Sequence, residues 1–353
     1  MEKKELFYVG GYSDSISLCA YKAGGIEVLG SYGIRNASYL CLSPDRKYLY
    51  AVVEAGSYKG QAGGGVAAFE VQGGGTLRFI NDSSTGGAGP CYVSVSADGQ
   101  SLYAANYSGG SSAFFNIGRG GEIGEMKRLL QHSDFGQASH AAPGRQDKAY
   151  AHFITPKYIN GVQTLWLCDL GLDCVLVLDS EGCEIARYRT PPGYGPRHIS
   201  FHPKLPRAYV ACEMGNAALT LEYGFSGGAL NLSAASKEIS TLPEPDAEST
   251  CAAIRVSPGN KRLLVSNRGK RTDSVSVLGL DAEGNTTRLE HIVSADGNCP
   301  RDFVFNPAGD NVLIANQDSS NVCVFSWDEE TGALISTGVR LPYQKPTCVL
   351  FIY

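Results

Sequence analysis

The sequence predicts an all-β fold, a seven-bladed β-propeller of four-stranded antiparallel blades, and three observations predict it. Forty-three glycines and nineteen tyrosines stand among many short β-branched and aromatic runs bounded by turn signals. A strand–turn–strand frame recurs six times along the chain. The two ends of the chain complement one another as the halves of a seventh unit. One ring is expected to take up residues 1–353 as a single domain, because a radial array leaves only short, protected sheet edges. Two β-sandwiches in tandem would also use this length, but they leave the split seventh unit unexplained.

The frame is first seen in NASYLCLSPDRKYLYAVVE (36–54) and GPCYVSVSADGQSLYAANY (89–107). It returns in YAHFITPKYINGVQTLWLCDLG (150–171), GPRHISFHPKLPRAYVACE (195–213), TCAAIRVSPGNKRLLVSNR (250–268) and CPRDFVFNPAGDNVLIANQ (299–317). Each unit is an apolar run, a polar turn of the Ser-Pro-Asp-Gly kind and a second apolar run, which predicts a hairpin. A third strand follows most of them, as in GGVAAFEV (64–71), SSAFFNI (111–117), SVSVLGL (274–280) and SNVCVFSW (320–327), and a shorter fourth comes after. The C-terminal QKPTCVLFIY opens a seventh unit and stops; LFYVGGY (6–12), SISLCAY (15–21) and GIEVLG (25–30) continue it.

Hydrophobic residues make up 43% of the chain and charged residues 18%, as in a globular protein with a sizeable core. Net charge is −5, and KRLLVSNRGKR (261–271) is the only basic cluster, so no nucleic-acid partner is expected. No apolar run approaches the ~18 residues of a membrane span, and the N-terminal MEKKELFYVGGYS has no secretory pattern, so a cytoplasmic protein without a membrane partner is expected. The eleven cysteines are odd in number, scattered and mostly set in strand runs, which predicts buried reduced thiols rather than a disulfide framework.

Two positions of the frame vary while the rest stays similar. The residue after the opening Pro, or its equivalent, and the residue sixteen further on form the pairs Ser38 with Glu54, Cys91 with Tyr107, Arg197 with Glu213, Ala252 with Arg268 and Arg301 with Gln317. In the third unit the pair is His152 with Asp169, one residue longer. The turn lies midway between the members, so each pair marks the open end of a hairpin. In a propeller these ends gather at one mouth of the central channel, with the turns on the opposite face. A polar ring rich in His, Glu and Arg suits binding or catalysis.

Arg197 and Arg268 offer forks that match a carboxylate or phosphate, with ion pairing to Glu213 and Glu54 as the structural alternative. Arg301 is equivalent to Arg197, but Asp302 beside it is a ready local partner. His152 titrates in the range a base or acid needs, and Glu213 is a second candidate for activating water. Glu54, Asn106, Tyr150, Asp169, Arg301 and Gln317 are candidate substrate contacts, although Asn106 and Asp169 also suit turn stabilisation. His198 and His202 lie ~13 Å apart along a strand, too far to share one ion, so no metal or other cofactor is expected. Gly-rich GQAGGG (60–65) and GGAGP (86–90) lack a phosphate-loop lysine and read as blade connections.

Across its whole length the chain resembles the seven-bladed propeller lactonases, the cycloisomerase-type 6-phosphogluconolactonases related to a fungal carboxymuconate lactonising enzyme. The resemblance rests on YVGGYS, YLCLSPDRKYLYAVVE, AANYSGGS, RQDKAYAH, LCDLGLD, GPRHISFHP and KPTCVLFI. It implies a cytosolic hydrolase that opens 6-phosphoglucono-δ-lactone to 6-phosphogluconate in the pentose phosphate pathway. The His, two Arg and Glu proposed as the active site of the fungal relative fall on His152, Arg197, Arg268 and Glu213. Two motifs depart from the family pattern: Tyr150-Ala151-His152 stands for His-Ala-His, and Asn36-Ala37-Ser38 for Asn-Pro-Ser. The phenol of Tyr150 can donate a hydrogen bond but is no base near pH 7. Two other functions remain open at this point: turnover of another carboxylated lactone, in the manner of a muconate cycloisomerase, and non-catalytic binding of a ligand or protein.

Overall fold

The computed structural model describes residues 4–22, 24–269, 271 and 273–352; Lys270 of the basic run therefore lies outside the described residues. Seven antiparallel sheets follow one another along the chain, each of four main strands, and blade 4 adds a short fifth, Ile239–Ser240. The strands of blade 1 are Leu40–Leu42, Tyr48–Val53, Gly65–Val71 and Leu77–Ser84. Blades 2 to 6 open with the strands Pro90–Val95, Ala151–Ile159, Pro196–Phe201, Thr250–Val256 and Pro300–Phe305. Blade 7 is made from both ends: Pro346–Phe351 pairs with Glu5–Gly11, and Ser15–Lys22 and Gly25–Gly33 complete the sheet. Helix is confined, among the described residues, to two short 3-10 turns, Gly73–Gly75 and His132–Phe135.

The first strand of every blade touches the first strand of the next, and the last of these contacts returns from blade 7 to blade 1, so these strands surround a closed axis. Apolar side chains fill each of the seven interfaces between neighbouring sheets; Phe7 and Val9 of blade 7 meet Leu313 and Val324 of blade 6 in one of them. Such a ring of equal interfaces rules out two sandwiches in tandem. Eight of the eleven cysteines are buried and all are free thiols.

The recurrent turn explains itself. Ser43 Oγ donates to Asp45 and accepts the Tyr48 amide, Ser96 repeats this with Asp98 and Ser101, and Ser257 accepts the Arg262 amide. These side chains satisfy the backbone groups that a tight hairpin leaves unpaired.

Closure needs a close backbone approach. A Cβ on Gly11 would lie 2.3 Å from the Lys345 carbonyl oxygen, so only glycine fits where the ends pair.

One buried array looks catalytic and is not. Ser112 Oγ lies 2.9 Å from His132 Nε2, and His132 Nδ1 lies 2.7 Å from Asp169 Oδ2. All three residues are fully buried, so no substrate reaches the hydroxyl. The array joins blade 2, the turn after it and blade 3.

Candidate active site

A repeated irregularity aims the site. In blades 2, 3, 4 and 6 the pairing of the first two strands skips one residue, between Pro90 and Tyr92, Ala151 and Phe153, Pro196 and His198, and Pro300 and Asp302. The skipped residues are Cys91, His152, Arg197 and Arg301. A bulged residue has no partner across the ladder and bends its strand, which frees its side chain to point out of the sheet's alternation. The left-handed residue just before the opening Pro starts this geometry; in blade 4 it is Gly195, at φ +60°. At the end of the second strand the ring is carried by Tyr12, Glu54, Tyr107, Leu170, Glu213 and Gln317, each the first residue past its strand, and by Arg268, the last residue of its strand. Most of them donate a backbone N–H to the residue ahead of the first strand, as Glu213 does to Gly195 at 2.7 Å.

Glu213 is the centre of one half of the mouth. Its Oε2 lies 3.0 Å from Arg197 Nε and 2.9 Å from Arg268 Nη2, and its Oε1 meets Arg145 Nη2. Arg197 is 2% exposed, and Arg268 is held further by donating to the Cys251 carbonyl at 3.1 Å. Burial alone would raise the Glu213 carboxyl, but Arg268, Arg197 and Arg145 overcome it and hold the group far below the usual carboxylate range. Burial, with Arg268 as a second cation nearby, pulls Arg197 down to about 10 despite its carboxylate partner.

His152 is buried on the same rim, its ring edge-on to Tyr107 at 5.4 Å and to His198 at 5.2 Å. Its Nδ1 has no hydrogen-bond partner. Burial first, and then the charge of Arg197, push its pKa well below the ordinary histidine value, so the imidazole is neutral at pH 7.

The other half of the mouth is built on Glu54. Tyr12 donates to it at 2.9 Å and Ser38 also bonds it. Arg301 sits over the Tyr12 ring at 5.4 Å and donates to Gln317 Oε1 at 3.3 Å. Beneath the rim, rings from several blades meet in the channel. Tyr39 stacks on Tyr92 at 4.2 Å, Tyr92 meets Phe153 at 4.5 Å, and His198 of blade 4 meets Tyr39 of blade 1 at 6.0 Å across the axis. A separate hollow, lined by Ser43, Asp45, Asp98 and Arg119, is on the face of the hairpin turns.

The structure brings His152, Arg197, Glu213, Arg268, Glu54, Arg301 and Gln317 to one mouth, with Tyr150 at its edge against Tyr107 at 4.9 Å. Asp169 and Asn106 are corrections. Ala151, the residue that corresponds to Pro90, pairs with Asp169, so the partner of His152 in the ring is Leu170, and Asp169 is one step out of register. One step along a strand turns a side chain to the other face. Asp169 accordingly accepts from the Tyr150 and Leu172 amides and meets His132. Asn106 is likewise fully buried, bonding Ser111 Oγ at 3.0 Å and Thr85 O at 3.4 Å. Asn267 and Asn316 occupy the same place in blades 5 and 6 and make equivalent bonds. Asp302 is not the partner of Arg301: it points down the channel to Arg255, 3.0 Å away. Of the two carboxylates considered for Arg197 and Arg268, both arginines use Glu213.

Sequence reasoning passes over Tyr12, Arg145 and Tyr107 as site residues. Tyr12 was legible, since Gly11 pairs with Pro346 and the next residue must take the seventh place in the ring. Tyr107 holds a ring position outright. Arg145 carries no repeat signal: it stands in the connection between blades 2 and 3, within RQDKAYAH. Among the described residues no three His, Cys, Asp or Glu side chains gather as metal ligands, and His202 instead accepts the Lys204 and Leu205 amides of its turn.

A closed seven-bladed ring with His, Glu and Arg converging on one end of its axis defines a propeller with a polar mouth. The family model described as "Lactonase, 7-bladed beta-propeller" matches residues 6–351, and the chain belongs to this family. It is 31% identical over 369 residues to a protein of Bacillus subtilis named 6-phosphogluconolactonase, covering 99% of each chain. A protein of Formosa agariphila with the same name is 31% identical over 323 residues, covering 89% of this chain and 88% of that one. Among solved structures, the periplasmic gluconolactonase of Pseudomonas aeruginosa superposes with a TM-score of 0.88 at 27% identity, covering 99% of both chains.

Proposed function

We propose that this protein is a lactone hydrolase that opens 6-phosphoglucono-1,5-lactone to 6-phosphogluconate, with catalysis at the Glu213 half of the mouth. One observation carries the reading: a neutral, buried imidazole with an unpartnered Nδ1 shares a rim with two arginines held in place by one carboxylate. His152 accepts a proton from water as the oxygen attacks the lactone carbonyl carbon. The carbonyl oxygen becomes an oxyanion, stabilised by one of the two guanidinium groups. The ring C–O bond then breaks, and the imidazolium returns its proton to the departing ring oxygen, leaving a hydroxy acid. Glu213 is engaged by three cations and suits the task of holding them better than that of a base. Four guanidinium groups, Arg145, Arg197, Arg268 and Arg301, face two carboxylates, Glu54 and Glu213, which leaves an excess of two positive charges for an anionic substrate.

The name of the B. subtilis relative and the charge of the mouth support the phosphorylated lactone. Free, mostly buried thiols support a cytoplasmic location, although one structural neighbour is periplasmic. The test is lactone opening at mildly acidic pH, where background hydrolysis is slow, with phosphorylated and plain gluconolactone side by side. Turnover of the phosphorylated lactone well above the plain one is expected. Equal rates on both remove the phosphate from the reading, and no turnover of either returns the protein to the class of binding propellers.

A further inference from the structure

We propose that Arg145 is a specificity-determining residue that exchanges Glu213 for the substrate's anionic group, uncovering one carboxylate oxygen as the ligand enters. The proposal rests on the reading of the mouth as a lactonase site, and three observations argue for it.

The three arginines on Glu213 are not alike. Arg197 is buried within blade 4 and Arg268 is also fastened to a backbone carbonyl, so neither can leave cheaply. Arg145 is 42% exposed, and it alone holds Oε1 while the other two share Oε2. It also comes from outside the blades, on the connection between blades 2 and 3. The base of that connection is firmly pinned: Gln146, fully buried, donates its side chain to the Leu170 carbonyl at 2.7 Å, and the Ser139 amide donates to Gly171 O at 2.8 Å. The guanidinium is thus carried by a long side chain on a fixed stem, able to swing without moving the loop.

Its guanidinium also lies near Tyr107, whose ring stands edge-on to His152 at 5.4 Å. An anion arriving from solvent meets Arg145 before the buried arginines and offers the fork a second carboxylate-like or phosphate-like face. Only the Arg145 end of this ion pair is open to water, Glu213 being 5% exposed, but Arg197 and Arg268 still hold the carboxylate through Oε2 when Arg145 leaves, so Glu213 is never left as an unpaired buried charge. The freed Oε1 then faces the ligand's hydroxyl groups as a hydrogen-bond acceptor.

The experiment is titration calorimetry with 6-phosphogluconate and with gluconate, on the wild-type protein, Arg145→Ala and Arg145→Lys, alongside the lactone assay. Wild type is expected to bind the phosphorylated acid more tightly. Arg145→Ala should lose about tenfold or more of that preference, and Arg145→Lys should recover part of it, because charge returns without the fork. In the assay, the rise in KM of Arg145→Ala for the phosphorylated lactone should exceed its fall in kcat. A preference unchanged in Arg145→Ala, an equal loss for both acids, or a wild type indifferent to the phosphate overturns the proposal. A protein that shows the binding pattern but opens no lactone keeps the role of Arg145 as an anion selector and sinks the hydrolase instead. Both variants are expected to melt within a few degrees of wild type, since the side chain is part-exposed and packs on no core cluster.

Discussion

His152 is useful only in its neutral form, and its surroundings keep it neutral. Its pKa lies well below the ordinary value of about 6.5. The kcat/KM profile is therefore expected to stay level from pH 7.5 down to about 6.5 and to fall only at lower pH, as the imidazole gains a proton. A fall centred at or above pH 6.5 would contradict the desolvated site. Replacing the residue, as in His152→Ala, should reduce kcat by roughly 10²- to 10⁴-fold, the range for loss of a general base, while circular dichroism stays that of the wild type. Full activity in that variant would place the chemistry elsewhere. The polar identity of this site was legible in the sequence because the repeat singles out positions that serve no blade. What those residues touch was not: that Glu213 takes both arginines while Glu54 takes Tyr12 and Ser38 depends on distances across the axis, which no local pattern encodes.

At the scale of the strand, the hairpin frame was readable and the bulge was not. A skipped residue leaves the chain's apolar alternation almost intact, so the pattern shows a strand while concealing where its register slips. The same blindness misplaced Asp169. Blade 3 has a longer hairpin, Ala151–Ile159 with Val162–Asp169, and counting along it from His152 stops one residue short of the ring position. Asp169 serves the array with His132 and Ser112 instead, and this makes a clean prediction. Either His132→Ala or Asp169→Asn should lower the unfolding free energy in urea by about 3 kcal/mol, since each leaves a buried polar group without its partner. Neither side chain lines the mouth, and Asp169 reaches its edge only through the Tyr150 backbone amide, so kcat/KM of the folded fraction should change less than threefold. A large kinetic defect with unaltered stability would reverse that assignment.

The whole molecule is a ring closed by its own ends, and closure is cooperative because each blade leans on two neighbours. Deleting residues 346–352 removes the inner strand of blade 7 and uncovers the faces of blades 1 and 6. Aggregated protein without a sharp melting transition is the expected result; a soluble, active truncation would show that the ring does not need its seam. Stability should also decline with acid in a defined order. His152 and His198 are buried neutral with pKa values well below 6.5, so the unfolded chain takes up protons first and stability falls below about pH 6.5, by up to ~1.4 kcal/mol per pH unit for each. Glu213, held low by its arginines, contributes above about pH 4.5 and loses that contribution as pH drops further. The rings of Tyr39, Tyr92, Phe153 and His198 that meet across the axis have a kinetic meaning as well. With rings touching across the axis below it, the rim serves as both entrance and exit for a molecule of sugar size: the acid formed must back out past the same arginines that drew its precursor in, and until it does, the next molecule waits outside.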